Sequence, residues 1–311
     1  MSGGGAYVAS SMRPVNIEGE RALLLPGGKA AVHSASSWLR IAVAGAWLFG
    51  PMYGAVISAA RLRNRPLLHR VERSWAAQAA AAGRVRIELV GVDHVDPDAS
   101  YVVAPLHESF ADALALFRLP LDLVFAARDE LFEWRFLGRY LNNAQHVLVP
   151  THVGAGGYRS LVRAAPTVFS RGESLAVFPQ GTILGIESAF SPGAFHLARR
   201  FDRPLLPVII TGGHLVWEYP YRRTLRLGRT VRLEVLPPIL GAEAVARAAE
   251  LESEMKQRAL AIVGAPARRF DPERDGWWDD YPYEIDPGFP DLHRRVAEHR
   301  AGYGAAPSTE R

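Results

Sequence analysis

The sequence predicts an α/β fold, a sandwich with a mostly parallel central sheet of about seven strands, preceded by a hydrophobic N-terminal helix. Short apolar runs alternate with helical patterns from residue 84 to residue 263. A run of twenty residues without a charge, 41–60, comes before them. No internal repeat or low-complexity segment interrupts the alternation. Such alternation is typical of a parallel sheet covered by helices.

The composition excludes several classes of site. The 311 residues contain no cysteine, so disulfides, thiolate zinc sites and a cysteine nucleophile are absent. The formal net charge is +4, and Lys29 and Lys256 are the only lysines. The positive charge is therefore mostly arginine, which either suits phosphate groups or reflects the base composition of the genome. No basic stripe with interleaved aromatic residues occurs, so nucleic acid is not an expected partner.

The N-terminal part divides into two segments. Residues 1–35 are rich in Gly, Ala and Ser, which predicts a disordered lead-in without a secretory signal. Residues 36–83 form a predicted membrane-associated helical segment, in which residues 41–60 leave three alternatives. They span a bilayer, lie in one leaflet as a helix kinked at Pro51, or form a buried core helix. Three arginines follow and favour a catalytic domain on the cytoplasmic side: Arg61, Arg63 and Arg65.

Residues 84–263 form the predicted catalytic domain. The strands are predicted at residues 85–90, 101–104, 121–126, 147–149, 175–178, 205–210 and 231–236. A helix is predicted from residue 110 and a polar surface helix over 242–263. Residues 264–311 form an aromatic- and Pro-rich C-terminal tail. Its tryptophans and tyrosines either pack over the apolar core or contact lipid headgroups, and packing is favoured.

A histidine follows the second of these strands. His107 comes directly after an apolar run, and Asp112 lies five residues later at the predicted helix start. A strand in an α/β protein presents its carboxyl end where ligands bind. The aspartate would fix the tautomer of the imidazole and leave the other ring nitrogen free to accept a proton from a hydroxyl. By itself this pair is a weak signal, because short motifs recur by chance.

A second block supports the first. The strand at 175–178 ends in Phe178-Pro179-Gln180-Gly181-Thr182. With the two blocks in this order, the chain resembles the glycerolipid acyltransferases, the lysophospholipid or 1-acylglycerol-3-phosphate O-acyltransferase family. The marks of that family are an N-H-x-x-x-x-D block and an F-P-E-G-T-R block. The resemblance runs from about residue 87 to residue 237 and implies an acyltransferase-type α/β sandwich.

The resemblance implies an enzyme and assigns roles to its residues. His107 would be the general base and Asp112 its orienting partner. A fatty acyl chain would pass from acyl-CoA or acyl carrier protein directly to the hydroxyl of a lysophospholipid, most readily 1-acylglycerol-3-phosphate. No cofactor or metal is expected. Gln180, Gly181 and Thr182 would bind substrate, with Gly181 letting backbone N–H groups approach a phosphate or an oxyanion.

The chain departs from the family pattern at several positions. Leu106 stands where members have Asn, Gln180 where they have Glu, and Ile183 where they have Arg. These differences affect the acceptor headgroup more than the acyl chemistry. Two arginines are candidates to bind the phosphate instead. Arg128 follows a strand where members carry Lys, and Arg159 lies beyond a glycine-rich loop.

Other hypotheses also follow from the sequence. His152 and His214 lie near predicted strand ends, where structural or solvent roles are favoured over a role in the site. The departures at 180 and 183 motivate a lipid-binding module with a diverged site. A thioesterase, in which His107 activates water, would use the same dyad. The sequence does not decide the headgroup, the chain length, the donor or the oligomeric state.

Overall fold

The computed structural model describes residues 21–25, 28–32, 34–150, 156–218, 225–279 and 281–304. Nine strands occur in this part of the chain. They are β1 (Arg21–Leu25), β2 (Gly28–Val32), β3 (Arg86–Val90), β4 (Val102–Pro105), β5 (Leu123–Arg128), β6 (Val147–Val149), β7 (Ser174–Ala176), β8 (Leu205–Thr211) and β9 (Thr230–Val235).

Seven of these strands form one sheet, in the order β3-β9-β8-β4-β7-β5-β6. All neighbours in it are parallel except β8 and β9, which pair antiparallel. The predicted sheet of about seven mostly parallel strands is therefore confirmed. The predicted strands match the observed ones to within a few residues. Buried parallel strands are apolar on both faces, which makes their sequence runs easy to recognise.

Helices cover both faces of the sheet. They are α1 (Ala35–Trp47), α2 (Tyr53–Arg61), α3 (Arg65–Ala82), α4 (Ala111–Leu116), α5 (Asp129–Glu133), α6 (Leu137–Asn143), α7 (Gly156–Ser170), α8 (Gly193–Phe201), α9 (Gly213–Val216), α10 (Ala248–Ala261), α11 (Pro272–Asp275) and α12 (Pro290–Gly304). Helices α7, α8 and α10 pack on one face and α3, α4 and α9 on the other.

Strand β4 lies near the middle of the sheet and contributes to the core on both sides. Val102 and Ala104 belong to the hydrophobic cluster under α7, α8 and α10. Val103 belongs to the cluster under α4 and α9. All four residues of the strand are buried. Because a strand alternates its side chains between faces, burial on both sides fixes the register of β4 and thereby the position of the residue that follows it.

The N-terminal residues differ from the prediction. Strands β1 and β2 pair antiparallel, with Arg21 opposite Val32, where the sequence predicted a disordered lead-in over 1–35. The Pro-Gly-Gly sequence between these runs is a turn signal that the composition of the whole segment concealed. Residues 1–20 lie outside the described residues, so the prediction for them stays a prediction.

The apolar segment forms a long helix. Helix α1 continues through a π-helical turn at Leu48–Met52 into α2, and Pro51 lies inside that turn. A wider turn accommodates a residue that has no N–H to donate. One face of α2 packs on α3 and α6 through Val56 and Ala60. The helix therefore continues through the proline, at which the sequence left a kink as one of three alternatives.

Helix α3 is attached to the sheet by a buried polar network. His69 donates from Nε2 to Glu173 Oε1 (2.7 Å) and from Nδ1 to Glu72 Oε2 (2.9 Å). Arg65 also contacts Glu173. Burial alone would lower the pKa of His69, but the two hydrogen bonds and the charge of Glu72 raise it to about 9. His69 is therefore a buried imidazolium at neutral pH.

The C-terminal segment packs on the domain and extends its core. Its aromatic residues form a buried cluster with Leu184, on the loop after β7: Phe270, Trp278, Tyr281 and Tyr283. Lys256 on α10 binds Asp286 Oδ2 (2.5 Å) and Glu252 Oε1 (2.6 Å). The sequence left open whether these aromatic residues pack over the core or contact lipid headgroups. In the structure they pack over the core. Residues 305–311, the last part of the predicted C-terminal tail, lie outside the described part.

Candidate active site

The two sequence blocks meet at one edge of the sheet. Strands β4 and β7 are parallel neighbours, with Val103 opposite Ala176. Their carboxyl ends therefore lie side by side, about 4.8 Å apart. His107 follows β4, and the turn of residues 178–182 follows β7. Two segments about seventy residues apart in sequence build one site because parallel pairing aligns their ends.

His107 and Asp112 form a hydrogen-bonded pair. The distance from His107 Nδ1 to Asp112 Oδ2 is 2.8 Å. A carboxylate only accepts, so the proton of the neutral ring lies on Nδ1 and Nε2 carries a lone pair. The side chain of His107 is 22% exposed, whereas that of Asp112 is fully buried. The pair thus has a fixed tautomer and an accessible basic nitrogen.

The carboxylate of Asp112 is held by its own loop. Its Oδ2 atom also accepts from the backbone N–H groups of Glu108 (2.6 Å) and Ser109 (2.9 Å). A Cβ atom at Gly213 would lie 2.2 Å from Asp112 Oδ1, so only glycine fits there. These contacts leave the carboxylate one position, from which it can orient His107.

A phenyl ring covers one face of the imidazole. The rings of Phe178 and His107 stack with centroids 3.9 Å apart and an interplanar angle of 25°. The stack fixes the ring plane, while the hydrogen bond to Asp112 fixes its rotation. Phe178 was identified from sequence as part of the second block, but no sequence pattern indicated this stacking.

Gln180 links the two blocks. Its Oε1 atom accepts from the backbone N–H of His107 (2.6 Å), and its Nε2 atom donates to the carbonyl of Gly185 (2.5 Å). The side chain is buried. Both polar atoms of the amide are therefore used to position His107 and the loop after β7. Contact between Gln180 and substrate, expected from the resemblance, stays a prediction.

We expect Gln180→Glu, which restores the residue of the family pattern, to lower both stability and activity. A glutamate can accept from the N–H of His107, but its second oxygen would face the Gly185 carbonyl without a proton to donate. The cost of such a buried mismatch is about 1–3 kcal/mol. Chemical denaturation and transfer rates of the variant would measure it. An unchanged or higher stability would show that the loop adjusts, and exposed Glu298→Gln serves as the control.

Gly181 and Thr182 are placed in the turn that follows. Gly181 has a φ of 64°, which favours glycine, and its N–H donates to the carbonyl of Phe178 (3.0 Å). That N–H is consequently used within the turn. Thr182 is buried, and its Oγ1 accepts from the N–H of Leu184 (3.3 Å). Both residues shape the loop, and their contact with substrate stays a prediction.

The two predicted phosphate-binding arginines differ in position. Arg128 ends β5, one strand beyond β7, at the same edge of the sheet as the dyad. Its guanidinium forms two hydrogen bonds to Glu130 (3.0 and 3.3 Å) and lies 3.7 Å from the ring centroid of Tyr281. Arg159 is exposed on α7. Of the glycine-rich loop expected to fold it back, residues 154–157, the last two begin α7 and the first two lie outside the described residues.

The structure adds Glu108 and Arg268, which the sequence did not single out, and it brings His214 to the same place. Glu108 is buried next to His107. Its Oε2 accepts from His214 Nδ1 (2.9 Å) and its Oε1 from the backbone N–H of Arg268 (2.8 Å). Burial raises the pKa of Glu108, against the lowering effect of His214. Only the position of His214 near a strand end pointed to the site; nothing in the sequence pointed to Arg268.

No group of three or more metal-type ligands occurs among the residues that the structure describes. What the arrangement provides is an oriented, accessible base at the edge of a sheet, with a buried partner. Such a dyad removes a proton from a hydroxyl or a water molecule.

Comparison with known proteins identifies this architecture. Residues 86–211 match the model of the Acyltransferase family. A 1-acyl-sn-glycerol-3-phosphate acyltransferase from Limnanthes alba is 31% identical over 158 residues, which cover 50% of this chain and 55% of that protein. The alpha form of that enzyme from Mus musculus is 27% identical over 210 residues, covering 66% and 73%. The chain thus spans about half the length of the first of these curated relatives.

A solved structure has the same fold. It is that of the 1-acyl-sn-glycerophosphate acyltransferase PlsC from Thermotoga maritima, with a TM-score of 0.58 and 19% identity. The match covers 71% of this chain and 92% of that one. At this identity the likeness establishes the fold. The matched residues 86–211 hold both blocks and the dyad that they build, so this part of the chain is similar to the Acyltransferase family.

Proposed function

We propose that this protein is a membrane-associated O-acyltransferase. It moves a fatty acyl chain from acyl-CoA or acyl carrier protein to the hydroxyl of a lysophospholipid, with 1-acylglycerol-3-phosphate as the first candidate. The observation that carries the proposal is the His107–Asp112 pair at the carboxyl edge of β4 in an acyltransferase-family domain. The acceptor is supported by the similarity to 1-acyl-sn-glycerol-3-phosphate acyltransferases.

The dyad supports a single displacement. Nε2 of His107 takes the proton of the acceptor hydroxyl while that oxygen attacks the thioester carbonyl. The C–O bond forms and the C–S bond breaks as the tetrahedral species collapses. The imidazolium returns its proton to the leaving thiolate, and Asp112 stabilises the ring while it is charged. No acyl-enzyme is formed, so the chain needs neither a cysteine nor a serine nucleophile.

Two other functions would use the same groups. A thioesterase would direct His107 at water, and a lipid-binding module would retain the fold without turnover. The departures at Gln180 and Ile183 motivate the second of these. However, Gln180 positions the backbone of His107 through a 2.6 Å hydrogen bond, and the orienting contacts of Asp112 are intact. A site that keeps its base oriented and accessible favours catalysis.

A transfer assay separates these functions. Labelled acyl-CoA or acyl carrier protein would be incubated with the protein in membranes, with 1-acylglycerol-3-phosphate, with a panel of other lysolipids and without acceptor. We expect labelled phosphatidate, formed fastest from 1-acylglycerol-3-phosphate. Free fatty acid formed equally fast without acceptor would identify a thioesterase. Lysolipid binding without product from either donor would identify a binding module.

The N-terminal helix supports the association with membranes. Residues Ala35–Arg61 form one helix, which is long enough and apolar enough to cross a bilayer by length and composition. In its most apolar stretch, 22% of the residues are buried. Leu39, Val43 and Trp47 form an exposed apolar stripe along α1. Helix α2, which continues α1, packs on α3 through Val56 and Ala60. Because α2 is already covered by α3 on one side, we favour a helix that lies in one leaflet with the exposed stripe of α1 inserted. A helix that spans the bilayer would be surrounded by lipid instead.

Flotation with vesicles tests this placement. We expect the protein to float with phosphatidylglycerol vesicles in a sucrose gradient. Val43→Glu should abolish flotation, because a charge in the apolar stripe cannot enter the hydrocarbon region cheaply. The control is Ala297→Glu, an exposed position on α12 far from the stripe in sequence. Equal flotation of Val43→Glu and the control would exclude insertion of this face.

A further inference from the structure

A second histidine–carboxylate pair lies beside the dyad. His214 donates from Nδ1 to Glu108 Oε2 (2.9 Å), and Glu108 is the residue directly after His107. The side chain of His214 is 12% exposed, whereas that of Glu108 is almost fully buried. No residue that the structure describes forms a hydrogen bond to Nε2 of His214. The pair therefore repeats the plan of the dyad, with a buried carboxylate behind a partly accessible ring.

The topology places this ring at the substrate edge. Strand β8 is the parallel neighbour of β4 on the side opposite β7, and α9 begins just after it. Gly213 touches the carboxylate of Asp112, and His214 is the next residue. The strand ends from β8 to β5 thus carry, in order, His214, His107, the turn of residues 178–182, and Arg128. Neighbouring strands are about 4.8 Å apart.

Among the described residues, His214 is the side chain that forms a hydrogen bond with the carboxyl group of Glu108. Asp112 lies close enough to raise the pKa of the Glu108 carboxyl. Behind Glu108, the guanidinium of Arg268 is committed to other carboxylates: its Nε lies 2.6 Å from Glu218 and its Nη2 lies 3.1 Å from Asp275. Arg268 offers Glu108 a hydrogen bond from its backbone N–H. His214 is therefore the side chain that meets Glu108 in the described part of the chain, and its Nε2 lies on the far side of the ring from that contact.

The chain also needs a donor for phosphate at this edge. Ile183 stands where the family pattern has an arginine, and the guanidinium of Arg128 is bound by Glu130 on two of its nitrogens. A phosphate monoester carries close to two negative charges at neutral pH. An imidazolium backed by a buried carboxylate donates a charge-assisted hydrogen bond to such a group.

We propose that His214, held by Glu108, binds a phosphate monoester of the substrates through Nε2. The inference rests on the proposed acyltransferase function, because the first candidate acceptor of that reaction carries such a group, and so does acyl-CoA when it is the donor. In 1-acylglycerol-3-phosphate it is the headgroup, and in acyl-CoA it is the phosphate on the ribose. His214 is therefore a specificity-determining residue next to the catalytic dyad, in place of the structural or solvent role expected from the sequence.

Equilibrium binding tests the proposal without turnover. Binding would be measured in the His107→Ala protein with four probes: short-chain 1-acylglycerol-3-phosphate, the matching 1-acylglycerol, acyl-CoA and acyl-dephospho-CoA. His214→Asn is the informative variant, because its amide nitrogen occupies the place of Nδ1 and keeps the bond to Glu108 while Nε2 is removed. His293→Asn, an exposed histidine on α12, is the matched control.

We expect His214→Asn to weaken binding of one phosphate-bearing probe about tenfold to hundredfold, the range for loss of one hydrogen bond to a charged group. The matching phosphate-free probe should bind unchanged. Weaker binding of 1-acylglycerol-3-phosphate assigns the ring to the headgroup, and weaker binding of acyl-CoA assigns it to the donor. Unchanged affinity for both, or equal loss for a probe and its phosphate-free partner, would overturn the proposal.

A second variant separates binding from folding. His214→Gln places an amide near the position of Nε2 and gives up the bond to Glu108, so it should keep more phosphate affinity than His214→Asn. The reverse order would also overturn the proposal. Failure of this proposal can be told apart from failure of the acyltransferase function. If the wild-type protein transfers acyl chains but phosphate binding does not depend on His214, only the inference about His214 is wrong. Phosphate binding through His214 without transfer by the wild-type protein removes the function.

Discussion

Replacing His107 by Ala is expected to lower kcat for acyl transfer about 10²–10⁴-fold, the usual contribution of a positioned general base. The side chain of His107 is partly exposed. Its removal takes one hydrogen bond from the buried carboxylate of Asp112, which keeps its two backbone donors. Folding should therefore be retained. Initial rates and the thermal midpoint of the variant and the wild type, measured side by side, would check both statements.

Asp112→Asn tests the orienting role separately. Asparagine has the shape of aspartate, but it has no charge to stabilise the imidazolium, and its amide can present a donor to Nδ1 and reverse the tautomer. We expect kcat to fall strongly while KM stays near that of the wild type. Asp291→Asn, exposed on α12, is the matched control. Transfer at the wild-type rate by either dyad variant would contradict the mechanism.

The stability of the fold is expected to fall between pH 6.5 and pH 9 because of His69. The pKa of this histidine is raised from 6.5 to about 9 in the folded protein. Below pH 6.5 both states carry the proton and the stabilisation is complete. Between the two values the unfolded state loses the proton that the folded state retains, so the free energy of unfolding decreases as pH rises. The shift corresponds to about 3 kcal/mol.

Unfolding by denaturant at several pH values between 6 and 9.5 would measure this slope. His69→Gln cannot take up a proton, so it should be less stable than the wild type at pH 6 and lose little more by pH 9. At pH 6 we expect a deficit of about 3–5 kcal/mol, because Glu72 and Glu173 keep buried carboxylates without their cation. Parallel pH profiles of the variant and the wild type would show that His69 is not the group responsible.

A further histidine of the same network, His146, makes the stability of the fold depend on pH on the acid side of neutrality. Burial lowers the pKa of His146 to about 4, more than the neighbouring Glu72 raises it. This ring is therefore neutral in the folded protein, where its Nδ1 accepts from the N–H of Phe125 (3.0 Å). As pH falls below 6.5, His146 binds a proton in the unfolded state but not in the folded state. The free energy of unfolding therefore decreases. The network thus favours a fold that is most stable near neutral pH.

The elements that could be predicted from the sequence are those encoded by local patterns. Seven apolar runs gave seven strands because buried parallel strands are apolar on both faces. His107 and Asp112 were paired correctly because five residues separate them along one turn. The second block was brought to the first because β4 and β7 are parallel neighbours. The pairing of β1 with β2 was missed because the composition of residues 1–35 predicts disorder more strongly than the turn signal predicts strands.

The contacts that the sequence did not indicate join distant residues through flexible side chains. Glu108 reaches His214 across 106 positions and Arg268 across 160. The dual hydrogen bonding of Gln180, which accounts for an amide at that position, depends on the carbonyl of Gly185 in the same loop. Such pairings are set by backbone directions and side-chain rotamers after the sheet has formed, and no periodicity encodes them.

By itself the sequence determined the class of fold and the pairing of His107, the proposed base, with Asp112. Only the tertiary structure decided which side chains surround that base: the stacked Phe178, the positioning Gln180 and the His214–Glu108 pair. The physical reason is that hydrophobic burial is recorded in the pattern of residue types, whereas directional polar contacts depend on positions in space.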